Sequence, residues 1–520
     1  MEEGNVIAGA AGALQLGLSR QTLVLLWIGI AAYLALMLFI GVWCSRRIKN
    51  MSDFLVAGRR LPLWMATATL LATWFGAGSS MGVAAQVYSD GLGGVIADPF
   101  GASLSLLFAG VFIVGMLRRA ECLTVTDIVS RRYGRWAGIY TSLWMLPVYI
   151  GWLGSQMMGL GTILNLLTDL DIRLGTLIGA VVVLCYTMTG GMWAVTLTDI
   201  VQVTLIVFGL LLIVPGAIHE AGGWQTLLER IPAAERTLAP GPDVVGLRGW
   251  SAYIGSWIIM GLGCAVGQDL VQRSLASRNE KVAASSSVMA GFLYLALAMI
   301  PVTIGFAARP VFAARGIELA GNLENQVLPN MAILILNRLH PLVLVIFLSA
   351  LISAIMSSAD SSLLAGTSLL VNNVIHPALP SLSDRTLLRT ARVTTLLMTA
   401  VALFLALKMD SIYKLMVNSW CSQLVIVFVP VVTALYAKKA SKICAWACLA
   451  VSTVVWLGYV LLDAGGLRAA LVNLADDDVS LTCGAVYGFF AGLIAFFAVY
   501  FVELVTYRRS GGTTTKCRRN

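Results

Sequence analysis

Thirteen long apolar runs divide the chain, at about residues 23–44, 61–82, 93–117, 136–166, 174–190, 193–217, 250–275, 282–307, 341–373, 388–407, 411–437, 441–463 and 481–506. A helix of about 20 apolar residues spans the hydrocarbon layer of a membrane. Lipid offers no hydrogen bonds, so a chain inside it must form helices or a closed barrel. Barrel strands alternate over about 10 residues, and the runs here do not alternate. Composition agrees: 58% of the 520 residues are hydrophobic and 12% charged. Soluble domains lie near 45–50% and about 25%, and no single core absorbs the excess. The expected fold is therefore an all-α polytopic membrane protein with about 13 transmembrane helices. No small-residue cleavage pattern follows the first run, so it is expected to be a retained helix rather than a signal.

The net charge of +9 has a topological cause. Arg46, Arg47, Lys49, Arg59 and Arg60 follow the first run, and Arg118, Arg119, Arg131, Arg132 and Arg135 follow the third. Further clusters follow the seventh, ninth and eleventh runs and the last one, so 24 of the 35 Lys and Arg lie on one side. The opposite loops are poor in basic residues and carry Asp476, Asp477 and Asp478. By the positive-inside rule the amino terminus is expected outside and the carboxyl terminus in the cytoplasm, in a plasma or inner membrane. The charge thus marks contact with a lipid bilayer and no nucleic acid. The nine cysteines are scattered and only three histidines are present, so neither a disulfide framework nor a metal cluster is expected. The loops at 218–249 and 308–340 are too short for a soluble domain.

Four stretches carry chemistry. In the second run, Ala72-Thr73-Trp74-Phe75-Gly76-Ala77-Gly78-Ser79-Ser80 combines glycines with hydroxyls. Glycine weakens a helix, and a helix broken inside the membrane frees carbonyls and amides for ions and solute. The same small residues also serve close helix packing. In the ninth run, Ala354, Ser357, Ser358 and Ser361 share one helix face, with Asp360 beside it. A hard cation wants several oxygens, which such a stripe supplies; serines also bond neighbouring helices. A carboxylate in lipid points toward function. Gly190-Gly191-Met192-Trp193-Ala194-Val195-Thr196-Leu197-Thr198-Asp199 opens the sixth run with another acid, which can equally hold a helix end or pair with an arginine. The seventh run holds Gly261, Gly263, Gly267, Gln268, Asp269, Gln272 and Arg273. Two glycine-interrupted runs five apart fit an inverted five-helix repeat.

The stretches around Ala72–Gly78, Gly190–Gln202, Gln268–Arg273 and Met356–Leu364 resemble the sodium:solute symporter family in order and spacing. The resemblance implies a LeuT-like core of two inverted five-helix repeats, over 61–217 and 250–437. A peripheral helix and loop (1–60) precede it; peripheral helices (441–506) and a cytoplasmic tail (507–520) follow it. It implies no cofactor and no enzyme activity, only sodium as coupling ion for a small organic solute. The sodium ligands then map onto the carbonyls of Ala72, Phe75 and Ala354 and the hydroxyls of Ser357 and Ser358. Asp360 and Ser361 match a second sodium position, and Asp199 an acid on the ion path. TWFGAG and MSSADSS are similar to the high-affinity choline carriers of the family. That similarity makes Trp74, Gly78, Tyr149, Trp152 and Gln268 candidates for binding choline or another quaternary ammonium compound. At two further aromatic positions of those carriers the chain has Ala102 and Gly267, which leaves an amino acid such as proline, or a monocarboxylate, as the alternative solute. A symporter-fold sensor, a channel and a proton-coupled carrier are the rival functions.

Overall fold

The computed structural model describes residues 20–45, 56–168, 170–187, 192–242, 244–319, 321–466 and 478–509. Among them there is no strand, only one isolated bridge between Leu61 and Ser277. Each of the thirteen apolar runs contains helix among its described residues. Nine helical segments among the described residues are long and apolar enough to cross a membrane by length and composition, and three shorter helices are apolar. The 34-residue helix Arg135–Thr168 is not one of the nine. Its buried Thr141, Ser142, Ser155, Gln156 and Thr162 lower its hydropathy while facing other helices.

The outer surface is apolar: Phe208, Phe292, Phe404, Ile494 and Phe501 are each 61–67% exposed. Such a surface associates in water and is at ease in lipid, as suits a multi-pass membrane protein. The interior is polar by comparison, with Asp98, Asp199, Asp269, Arg273 and Gln156 all fully buried.

Helices break inside this interior in the second and seventh runs, and the third is interrupted at Asp98. Leu63–Trp74 ends at Phe75, whose φ of −93° and ψ of 79° are not helical. The chain resumes as a wide turn, Gly78–Gly82, leading into Val83–Asp90. Gly246–Ile258 continues through irregular turns to Gly267, which is extended at φ −62° and ψ 136°, before Gln268–Ala276 begins. Glycine is needed at Gly267 because a Cβ would lie 2.7 Å from Asp269 Oδ1 and 3.0 Å from the Cys264 carbonyl. The break in the second run lies between Arg135–Thr168 and the serine-bearing helix Pro341–Ser368, and Gly159 lets Ala77 approach. Met192–Glu220 packs along Pro341–Ser368, and Arg20–Ser45 packs on both. Lys442–Asp463 and Asp478–Arg509 pack closely on each other, and Asp478–Arg509 also packs on Gly246–Ile258.

Candidate functional site

The first break leaves carbonyls without helical partners. The last helical bond runs from Phe75 N–H to the Leu71 carbonyl at 3.1 Å, and among the described residues no backbone N–H beyond the regular helices bonds the Ala72 or Phe75 carbonyl. Side chains take over at the carbonyls between them. Ser358 Oγ donates to the Thr73 carbonyl at 2.7 Å, and Ser79 Oγ lies 3.0 Å from that of Trp74. Gln156 Oε1 accepts the Ala77 N–H at 2.8 Å. Phe75 and Ala354 meet across a small cavity also lined by Ile206 and Phe347. The expected stripe is real: Ser357, Ser358 and Ser361 are fully buried, and Ser361 Oγ donates to the Ser357 carbonyl at 2.7 Å. The break and the stripe thus form one oxygen-rich seam.

A charge cluster adjoins the seam. Asp199 Oδ1 accepts from Ser357 Oγ at 2.6 Å and Oδ2 accepts from Thr69. The Arg273 guanidinium lies 3.8 Å from Asp199, donates to Ser361 Oγ, and reaches the Asp269 carbonyl at 3.1 Å. A buried pair of this kind is tolerable in lipid because each charge has its opposite and further hydrogen bonds. Asp360, 2% exposed, lies within electrostatic reach of Arg273. Asp199 therefore joins the expected serines, while Gly190 and Gly191 of the same stretch lie outside the described residues.

A small cavity of about 10 Å³ lies on the other side of the first break. Trp74, Trp152, Trp420 and Tyr294 wall it, with Met260, Cys264 and Met416 as apolar filling and Ser79 and Asp98 as polar groups. The Trp152 and Trp420 rings are 6.0 Å apart, and Tyr149 stands 6.4 Å from each. Asp269 fixes the wall from behind: Trp74 Nε1 donates to its Oδ2 at 2.7 Å and Tyr149 OH to its Oδ1 at 3.0 Å.

Of the five solute-binding candidates, Trp74 and Trp152 line the cavity. Tyr149 supports it, through Asp269 and through the Gln268 N–H, which donates to its hydroxyl at 2.6 Å. Gln268 is a strut: its Oε1 accepts the Val125 N–H at 2.8 Å, and its Nε2 donates to Ser368 at 3.2 Å. Gly78 makes room for Met416, whose sulfur a Cβ there would strike. Trp420, Tyr294 and Asp98 come from the eleventh, eighth and third runs and were not among the candidates. Asp98, an acid inside an apolar run, carried a signal of its own.

A family model for the sodium:solute symporter family matches residues 54–452. The high-affinity choline transporter 1 of Torpedo marmorata is 28% identical over 434 residues, which are 79% of this chain and 72% of that one. The human high affinity choline transporter 1 is 28% identical over 429 residues, with the same coverage. The sodium/pantothenate symporter of Haemophilus influenzae is 25% identical, covering 84% of this chain and 89% of that one. Among solved structures, a Na+-coupled sialic acid symporter superposes with a TM-score of 0.69 at 18% identity, covering 91% of this chain and 97% of its own. That likeness establishes the fold. The family is one of secondary transporters rather than enzymes, and by the extent of the match this chain belongs to the sodium:solute symporter family.

Proposed function

We propose that the protein is a sodium-driven symporter of choline or a related quaternary ammonium solute, working by alternating access. The observation that carries the reading is the tryptophan-walled cavity beside the first helix break. A trimethylammonium group donates no conventional hydrogen bond, so aromatic faces and apolar contact recognise it. Each ring contributes about 0.5–2 kcal/mol, tryptophan the most. Trp420 supplies a third tryptophan beside Trp74 and Trp152, although Ala102 and Gly267 stand at the two other aromatic positions of the choline carriers.

Sodium binds, on this reading, in the seam between break and serine stripe. The Ala72, Phe75 and Ala354 carbonyls and the Ser357 and Ser358 hydroxyls are its ligands. Asp360 and Ser361 attend a second sodium position, and Asp199 lies on the ion path. The carbonyls of Ala72 and Phe75, which no backbone N–H beyond the regular helices bonds among the described residues, support this assignment. The ion would close the break against Pro341–Ser368, and the break also carries Trp74 of the solute cavity. Sodium and solute would thus favour the same arrangement of one helix, which is the physical content of coupling. The amino terminus is outside, the carboxyl terminus is cytoplasmic, and the two repeats cover 61–217 and 250–437.

Equilibrium binding of labelled choline to the purified protein tests the reading. Choline is expected to bind in sodium and not in potassium. If millimolar choline neither binds nor competes while proline or a monocarboxylate does, the quaternary ammonium assignment is wrong.

A further inference from the structure

Asp98 lies outside the serine-lined seam and apart from the Asp199–Arg273 pair. It stands between Ile96–Gly101 turns with non-helical φ and ψ of −136° and 120°, and its side chain enters the aromatic cavity. The carboxylate is fully buried. Ser79 Oγ lies 2.7 Å from one oxygen and Tyr294 OH donates to the other at 2.6 Å. Among the described residues no Lys, Arg or His nitrogen lies within 4.0 Å of it, since it takes part in none of the ion pairs. Asp199, equally buried, has Arg273.

Two hydroxyls stabilise a carboxylate but do not neutralise it. A buried charge without its opposite is strongly disfavoured in lipid. Such a carboxylate is neutralised either by a proton or by a cation that enters the cavity, and the other walls decide which cation that would be. A hard metal ion needs several oxygens with lone pairs free. Here the hydroxyls near Asp98 among the described residues are those of Ser79, Tyr294 and Tyr413, and most of the remaining cavity surface is indole, thioether and thiol. Indole faces and methionine sulfur suit a weakly hydrated organic cation.

We propose that Asp98 is the charge-selecting residue of the cavity, the counter-charge that admits solutes of net positive charge and rejects zwitterions carrying the same ammonium group. The proposal rests on reading this cavity as the solute site. Choline and glycine betaine separate the two ideas. Both present a trimethylammonium group to the tryptophans, but betaine brings a carboxylate into a site that already holds one. Like charges so close in a dry site repel strongly.

The test measures dissociation constants of both compounds in saturating sodium for the wild type, Asp98→Asn, Asp98→Glu and Trp152→Ala. The wild type is expected to prefer choline at least tenfold. Asp98→Asn should weaken choline at least tenfold and bring the choline-to-betaine ratio toward one, while Asp98→Glu retains the preference. Trp152→Ala should weaken both compounds alike. Retained thermal stabilisation by sodium identifies folded variants. A wild type that binds betaine as tightly as choline overturns the proposal without any variant. Choline binding that depends on Trp152, with an unchanged ratio in folded Asp98→Asn, overturns the role of Asp98 alone. Failure of the wild type to bind either compound overturns the cavity reading and this proposal with it.

Discussion

Gly76→Ala is the sharpest probe of the sodium seam, because one methyl group enters it and nothing else changes. Gly76 lies in the break, where a Cβ would stand 2.5 Å from Gln156 Oε1, 2.6 Å from Ser358 Cβ, and closer still to Ser358 Oγ. The hydroxyl can rotate away, but Ser358 Cβ is fixed to the helix Pro341–Ser368 and cannot. Ordinary contact begins at 3.4 Å, so the helix must retreat from 2.6 Å to at least 3.4 Å, a shift of about 0.8 Å. Hard cations such as calcium hold oxygens at about 2.3–2.6 Å, and a ligand moved this far is lost. Overpacking costs about 1–3 kcal/mol, and losing a hydroxyl partner of a charge costs about 1.5–3 kcal/mol. At 1.4 kcal/mol per factor of ten, the ligand loss alone raises the half-saturating sodium concentration about ten- to a hundredfold. Sodium titration of solute uptake in proteoliposomes measures it. Gly93→Ala is the control, since nothing lies within 4 Å of a Cβ there. A folded Gly76→Ala protein with wild-type sodium dependence refutes the assignment of the ion to this seam.

Three further outcomes are expected. Trp152→Ala should weaken choline about tenfold in equilibrium binding, within the range of about 0.5–2 kcal/mol per ring; an unchanged constant removes Trp152 from the site. Asp199→Asn takes from the fully buried Arg273 guanidinium the carboxylate it is ion-paired with at 3.8 Å. Breaking such a pair costs about 3–5 kcal/mol, so the melting temperature should fall markedly, and a melting temperature equal to wild type contradicts the pairing. A protease-cleavable tag after Asn520 should be cut only from the cytoplasmic side and one before Met1 only from outside; both tags cut from one side would mean an even number of crossings.

The helices were readable in the sequence because hydropathy depends on local composition, and lipid enforces the relation between apolar run and helix. Both breaks were readable too, since Gly76, Gly78 and Gly267 weaken helix wherever they stand. The serine stripe followed from helical spacing alone. What sequence did not give was contact between runs. Trp420 and Tyr294 are ordinary membrane aromatics until the fold brings them opposite Trp152 and Trp74. Gln268 reads as a polar group awaiting a solute, yet its amide is taken by Val125 and Ser368, more than 90 residues away. Gly78 reads as flexibility, yet its cause is the Met416 side chain. Gln156 gave no sign that it holds the Ala77 N–H. Asp98 was the real omission: an acid amid apolar residues is costly enough in lipid to ask for a purpose.

Concentrative uptake tests the central claim most directly. The purified protein is reconstituted into liposomes with an inward tenfold sodium gradient and an inside-negative potential of 100 mV, and internal labelled choline is measured. The gradient supplies about 1.4 kcal/mol per sodium ion, and the potential about 2.3 kcal/mol per charge. One ion thus drives a neutral solute several-hundred-fold uphill, and choline gains further from its own charge. The predicted result is choline accumulation well beyond the roughly fiftyfold that the potential alone gives a monovalent cation, falling to the background of protein-free liposomes when potassium replaces sodium. Accumulation that is the same with and without sodium contradicts sodium coupling.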